Sequence, residues 1–330
     1  MGEPRGIAQV TGSGNGNASR GVAGVVVTYN PEPAVLDSAV QAAGRELDEL
    51  ILLDNGSKPE GLAAIRAIVD RAAHSPTPVA PITVHYFGRN RGLPMAFNEA
   101  IRLARAAGRQ FLLLLDQDSI LQPGAVRALL DVYDRWSDRL PIGALEGFNE
   151  EPTVLPTDDF LEAYLRRHGQ PLEPGLTEDY LATNSGLFIP LNQVDQVGGF
   201  DESFFLDAVD FEFGLRLRSK GFRLLRVASA RIIHRRGNPV EVKLGPFKQA
   251  LRRVSPSRHY YVARDVMRTF GRYGRKFPLI GSILLSMPFR EAGLVVLFYP
   301  DRWDHLRCIA LGLLHSVQGV SGEYDPLHTG

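Results

Sequence analysis

Between residues 22 and 147 the chain alternates short, nearly continuous apolar runs with amphipathic stretches. The runs at 22–28, 50–54, 82–86, 111–116 and 142–146 are too short and too uniformly apolar for surface helices, and they predict buried strands. The intervening segments 34–43, 61–72, 93–107 and 124–136 carry a helical period. Strands apolar on both faces and separated by helices imply an α/β fold, a mostly parallel sheet with helices on both sides. Such sheets bind ligands beyond the carboxyl ends of their strands. Thr28-Tyr29-Asn30, Asp54-Asn55-Gly56-Ser57 and Asp116-Gln117-Asp118 all fall at that edge.

Residues 148–182 are rich in proline and acidic side chains and read as a loop-rich insertion. Regular structure is expected again at 183–191, followed by a helix near 204–220, short strands at 222–227 and 231–234, and helices from about 246 onward. Residues 1–20 are rich in Gly, Ser and Asn with no apolar stretch, and are expected to be a disordered leader. The organisation is then a leader (1–20), an α/β domain (21–245) and a C-terminal helical region (246–330). The longest apolar stretch, 278–300, is interrupted by Arg290-Glu291, which leaves halves shorter than the roughly 20 residues that span a bilayer. No spanning helix is expected there.

Charge and cysteine content narrow the classes. With 37 basic and 37 acidic residues the formal net charge is zero, so nothing draws the whole chain to nucleic acid. The basic residues are nevertheless segregated. Residues 246–276 hold nine Lys or Arg against one acid, Asp265, which points to a local anionic partner such as a phosphate or a membrane surface. A single cysteine, Cys308, excludes an internal disulfide and any cysteine-based zinc cluster, and fits a reducing, cytoplasmic setting.

The candidate chemistry lies at the strand ends. Asp116-Gln117-Asp118 follows five apolar residues, so a buried strand ends by presenting two carboxylates on opposite sides of its pleat. Hard cations such as Mg²⁺ or Mn²⁺ favour carboxylates together with phosphate oxygens. The plainer alternative is an acidic cap for the helix that follows. Asp54 ends a second strand and is placed to accept the imide N–H of a pyrimidine, or simply to close a turn. Gly88-Arg89-Asn90-Arg91-Gly92 precedes a helix and offers backbone N–H groups and guanidinium to a diphosphate. Asp207, Asp210 and Glu212 cluster at a helix start, where the macrodipole favours negative charge. Glu212 also has Arg216 four residues on as an ion-pair partner. Asp210 is the candidate general base. His234 ends the last short strand and is a candidate metal ligand beside Asp118.

In order and spacing these pieces resemble the family 2 glycosyltransferases of the GT-A fold, and within them the bacterial dTDP-rhamnose-dependent rhamnosyltransferases. The likeness runs over roughly residues 22–240. It is carried by Val25-Val26-Val27-Thr28-Tyr29-Asn30-Pro31, Leu53-Asp54-Asn55-Gly56-Ser57, Asn90-Arg91-Gly92, Leu115-Asp116-Gln117-Asp118-Ser119, Asn184-Ser185-Gly186, Gly198-Gly199-Phe200-Asp201-Glu202 and His234. The resemblance implies a nucleoside pocket at Thr28, Asn30 and Asp54, and diphosphate contacts from Asn90 and Arg91. It implies donor contacts from Asp116 and Gln117, metal binding by Asp118 with His234, an acceptor site near Asn184, Ser185 and Asp207, and Asp210 as base. One departure is that the Glu-Asp pair common in the wider family is Val209-Asp210 here. The implied partners are a nucleotide-diphosphate sugar, with dTDP-rhamnose expected, and a saccharide or lipid-linked acceptor. A nucleotidyltransferase would need a glycine-rich, lysine-containing phosphate loop, where this chain has Thr28-Tyr29-Asn30. A non-catalytic sugar-nucleotide binder would have no use for Asp118 and Asp210.

The C-terminal region resembles the same enzymes more loosely, through Ser257-Arg258-His259-Tyr260-Tyr261 and Arg264. Arg264, Arg268, Arg272 and Arg275 fall on one helical stripe, and Trp303, Leu306, Ala310, Leu313 and Val317 on another. These stripes are expected either to pack on the catalytic domain or in a homo-oligomer, or to touch a membrane peripherally.

Overall fold

A computed structural model describes residues 8–10, 21–150, 169–234, 240–244, 247–251 and 253–327. Four parallel strands form half of the main sheet, in the order β4 (Ile82–Tyr86), β3 (Glu49–Asp54), β2 (Val22–Thr28) and β5 (Phe111–Asp116). Pleating sends alternate residues to opposite faces. Leu112 and Leu114 pack on one side with Ala96, Phe97 and Ala100 of α3 (Leu93–Ala106). Leu113 and Leu115 pack on the other with α1 (Pro33–Glu46), α2 (Pro59–Ala73) and α4 (Ala125–Trp136). Helices α1, α2 and α3 each open with a proline in the first turn, where a missing N–H costs nothing.

The other half of the sheet is mixed. β10 (Leu187–Pro190) runs antiparallel between β5 and β7 (Ile142–Glu150), and β11 (Arg223–His234) runs parallel to β7. The two short strands expected at 222–227 and 231–234 are thus one strand, with a register shift between Val227 and Arg231. β6 (Ser119–Leu121) pairs antiparallel with the end of β11 and sets Ser119 opposite His234. β8 (Gln170–Glu173) and β9 (Leu176–Glu178) complete that edge. Of the expected loop-rich insertion, 151–168 lie outside the described residues. Within the expected leader, β1 (Ala8–Val10) lies antiparallel to β4, and the remainder lies outside them.

α5 (Leu191–Val197) is followed by α6 (Val209–Ser219), which begins five residues later than its hydrophobic pattern predicts. Ala208 sits at φ +57°, a left-handed conformation no helix can include, so Asp207 lies outside the helix and points separately from Asp210.

The C-terminal region opens with a hairpin, β12 (Val240–Leu244) and β13 (Phe247–Leu251), where a helix was expected. α7 (Pro256–Tyr273) starts only where Ser255 caps it, its hydroxyl accepting from the Arg258 N–H ahead of Pro256. α8 (Pro278–Phe298) and α9 (Arg302–Gln318) follow.

Much of the arginine stripe on α7 turns onto the protein, although Arg272 stays partly exposed. Arg264 is fully buried, paired with Asp265 at 2.7 Å and stacked over Tyr260 and Tyr261. Arg268 donates to the Ser203 carbonyl at 2.8 Å and to its hydroxyl. Arg272 reaches Asp201 at 2.5 Å and Glu212 at 3.6 Å. Of the two expectations for the stripe, these three side chains meet packing: Arg268 and Arg272 tie α7 to Ser203, Asp201 and Glu212, while Arg264 is held within the C-terminal region by Asp265 and the Gly322 carbonyl. The apolar stripe on α9 divides as well. Leu306 and Leu313 pack against Val295 and Tyr299, while Trp303 and Val317 are exposed.

α8 runs unbroken through Arg290-Glu291, because charged residues interrupt hydropathy but not a helix. By length and composition it is apolar enough to cross a membrane, and only a third of its apolar window is buried.

Candidate active site

The carboxyl ends of β2, β3 and β5, with the loop after β4, form one wall. Asp54 is 1% exposed and closes an Asx turn, accepting from the Gly56 and Ser57 N–H groups and from the Thr28 hydroxyl. The carboxylate expected to meet a base is thus already engaged in shaping its own loop. Asn30, at φ +46°, donates its N–H to Ser57 Oγ and accepts from the Lys58 N–H, which ties the first loop to the second. Gly56 has φ +89°, and a Cβ there would lie 2.4 Å from the Arg89 backbone. Only glycine lets the 88–92 loop approach so closely.

That junction is held by Asn55, whose place beside Gly56 suggests no more than a turn former. Asn55 is 3% exposed; its amide donates to Asn90 Oδ1 at 2.9 Å and accepts from the Arg91 N–H at 2.8 Å. Asn90 also accepts from the Gly92 N–H. The Arg91 guanidinium lies over the Phe87 ring. Gln117 bridges from the next strand end, accepting from the Tyr29 N–H.

Asp116, Asp118 and His234 converge. His234 Nε2 lies 3.2 Å from Asp118 Oδ1 and 3.4 Å from Asp116 Oδ2, and one ligand atom from each of the three falls within 4.8 Å of the others. His234 is buried, the carboxylates partly open. An imidazole lone pair facing two carboxylates is repulsive unless a cation or a proton lies between them, and two carboxylates with one imidazole suit Mn²⁺ or Mg²⁺ with phosphate oxygens completing the shell. The residues therefore fit a divalent metal.

Asp210 stands at the first turn of α6. Its Oδ1 accepts from the Phe211 N–H and its Oδ2 from the Asn184 N–H at 3.2 Å. Burial pushes its pKa up to about 6 against these hydrogen bonds, and the charge on Asp116 pushes the same way. Asp210 thus feels the charge of Asp116, one member of the three-residue cluster. Glu212 is 2% exposed and fully engaged by Arg216, Tyr273 and Arg272. Asp207 pairs with Arg258 of α7, a contact that nothing in the local sequence announces. Burial raises the Asp207 carboxyl, and Arg258 opposes the shift. Asp207 Oδ2 and Asn184 Oδ1 are buried without a hydrogen-bond partner. Ser185, also expected at the acceptor, is 2% exposed and bonded to Asn149 and Ser119.

The chain is similar to known glycosyltransferases. The chain is similar to the dTDP-rhamnosyl transferase RfbF of Shigella flexneri, 22% identical over 90% of this chain and 96% of that protein. It is also similar to the N-acetylglucosaminyl-diphospho-decaprenol L-rhamnosyltransferase of Mycobacterium tuberculosis, 26% identical over 65% of this chain and 76% of that protein. Among solved structures it superposes on GalNAc-T7, crystallised with UDP, GalNAc and Mn²⁺, with a TM-score of 0.50 and 15% identity. That superposition covers 66% of this chain but less than half, 44%, of the other, and it concerns the fold alone. Residues 25–192, just over half of the chain, match the family described as Glycosyl transferase family 2, and the chain belongs to that family.

Proposed function

We propose that this glycosyltransferase is a divalent-metal-dependent, inverting rhamnosyltransferase that uses dTDP-rhamnose and acts on a bacterial cell-surface polysaccharide or glycolipid acceptor. The observation that carries the reading is the meeting, at one edge of the sheet, of a three-ligand cation site with a carboxylate raised toward neutrality. A general base works best when its pKa lies near the operating pH. Thr28, Asn30 and Asp54 frame the nucleoside, while Asn90 and Arg91 approach the diphosphate. Asp116, Asp118 and His234 would hold Mn²⁺ or Mg²⁺, and Gln117 keeps their strand end in place. The metal, when bound, supplies positive charge against the departing diphosphate. Asp210 takes the proton of the acceptor hydroxyl as that oxygen attacks the anomeric carbon from the face opposite the leaving group. Asn184 Oδ1 and Asp207 Oδ2 are left to accept from other acceptor hydroxyls. RfbF supports the choice of donor by its name and its near full-length match. Incubated with Mn²⁺ and a panel of nucleotide sugars, the enzyme should consume dTDP-rhamnose in preference to UDP- or GDP-sugars; preference for another nucleotide would remove the rhamnosyl reading while leaving the family intact.

The membrane contact, if the acceptor is lipid-linked as in the mycobacterial relative's name, falls to α8 rather than to the arginine stripe. Leu279, Leu285, Phe289, Val296 and Leu297 are exposed along that helix, and exposed Arg275, Arg290 and Arg302 flank them. An apolar face bordered by basic side chains suits the surface of an anionic bilayer. Wild type should float with anionic vesicles at low salt, and Phe289→Glu with Leu297→Glu should not, while transfer to a soluble acceptor persists. Absence of wild-type flotation would sink this placement.

A further inference from the structure

Asn149 lies on β7, in neither the donor loops nor the metal triad, yet it joins the elements that carry the chemistry. It is 4% exposed, and its amide faces Ser185, itself 2% exposed. Its Nδ2 donates to the Ser185 carbonyl at 2.8 Å, and its Oδ1 lies 3.2 Å from the Ser185 hydroxyl. A carbonyl can only accept, so the orientation of the amide is set by this contact. Asn149 Oδ1 must then receive the single proton of the Ser185 hydroxyl. The Ser119 hydroxyl, 2.7 Å from Ser185 Oγ, is left as the donor in that pair. The chain of bonds therefore runs one way, from Ser119 through Ser185 to Asn149.

Two members of this chain, Ser119 and Ser185, adjoin the candidate chemistry. Ser119 follows Asp118 directly and pairs with His234 across β6 and β11. Ser185 follows Asn184, whose N–H is a hydrogen-bond donor to Asp210. We infer that Asn149 is a positioning residue that sets the metal site and the general base in mutual register through the buried Ser119–Ser185–Asn149 chain. This rests on the reading of Asp210 as base. Glycine at 186 serves the same fit: at φ +90°, its Cβ would meet Ile232 Cδ1 at 2.4 Å, so the 184–186 turn passes directly over β11.

Asn149→Ala removes the acceptor of the Ser185 hydroxyl and the donor to the Ser185 carbonyl, and the turn is expected to shift. Displacements of about 1 Å remote from the reacting atoms can lower rate about 10²-fold. The expected result is a loss of that order in kcat, with dTDP affinity by calorimetry near wild type. The acid limb of the rate profile should also move to higher pH, because Asp210 loses an N–H donor that favours its ionised form. A role in folding alone would lower Tm and leave both the turnover of folded enzyme and the limb unchanged. That result in folded Asn149→Ala would overturn the inference. Should Asn149→Ala fail to fold, Ser119→Ala removes the first donor and keeps the Asn149–Ser185 pair. It should show the same split, and wild-type kcat in that variant would equally overturn it. Asp210→Asn separates the two claims, since full activity there would defeat the base assignment rather than the role of Asn149.

Discussion

Asp118→Ala should abolish sugar transfer. Its Oδ1 lies 3.2 Å from His234 Nε2 in the only cluster among the described residues able to hold a metal ion. Removing one of three protein ligands leaves Asp116 and His234, too few to keep a hard cation against water. The charge that a metal supplies to a departing phosphate is worth several kcal/mol, and each 1.36 kcal/mol is a factor of ten in rate. A loss of about 10³-fold or more is expected, with weakened binding of the nucleoside diphosphate. The variant should behave like wild type in excess chelator. Full activity of either would remove the metal from the mechanism.

Asp210→Asn keeps the shape and the ability to accept from Asn184 but cannot take a proton. Turnover is expected to fall about 10²–10⁴-fold while donor affinity stays close to wild type. The pH dependence follows from the same residue. Only ionised Asp210 can act as base, and its carboxyl is raised to about 6. Activity should therefore fall as pH drops through about 6, and that limb should be absent in the residual activity of Asp210→Asn. Glu212→Gln offers the contrast. Its carboxylate is buried among Arg216, Tyr273 and Arg272, so that change should lower the stability of α6 and α7 before it touches turnover.

How far the residue pattern reveals the fold depends on how local the cause of each feature is. Strands buried on both faces must be apolar nearly throughout, which is why 22–28 and 111–116 stand out with the bounds the structure shows. Asp116 and Asp118 are legible in the residue pattern because they close a buried strand directly after five apolar residues. Their partner His234 is less so, since a three-residue strand pairing with the far end of β11 brings it there and leaves no local mark. Asn149 and Asn55 escape the pattern for a related reason. Each acts by what its amide bonds across the fold, and an isolated asparagine looks like a turn residue. The arginines of α7 illustrate the reverse. Helical spacing places them on a shared face, but spacing says nothing about what that face meets. The acids that bind Arg272, Asp201 and Glu212, come from far upstream in the chain. The late start of α6 rests on a single left-handed alanine, which neither propensity nor periodicity announces.

The anomeric configuration of the product tests the central claim most directly. Proton NMR of a reaction containing dTDP-rhamnose, Mn²⁺ and a saccharide acceptor resolves the anomeric signals of donor and product. A single displacement assisted by Asp210 predicts a product of configuration opposite to that of the donor, formed only while metal is present. A product that retains the donor's configuration, or one formed equally well under chelation, would contradict it.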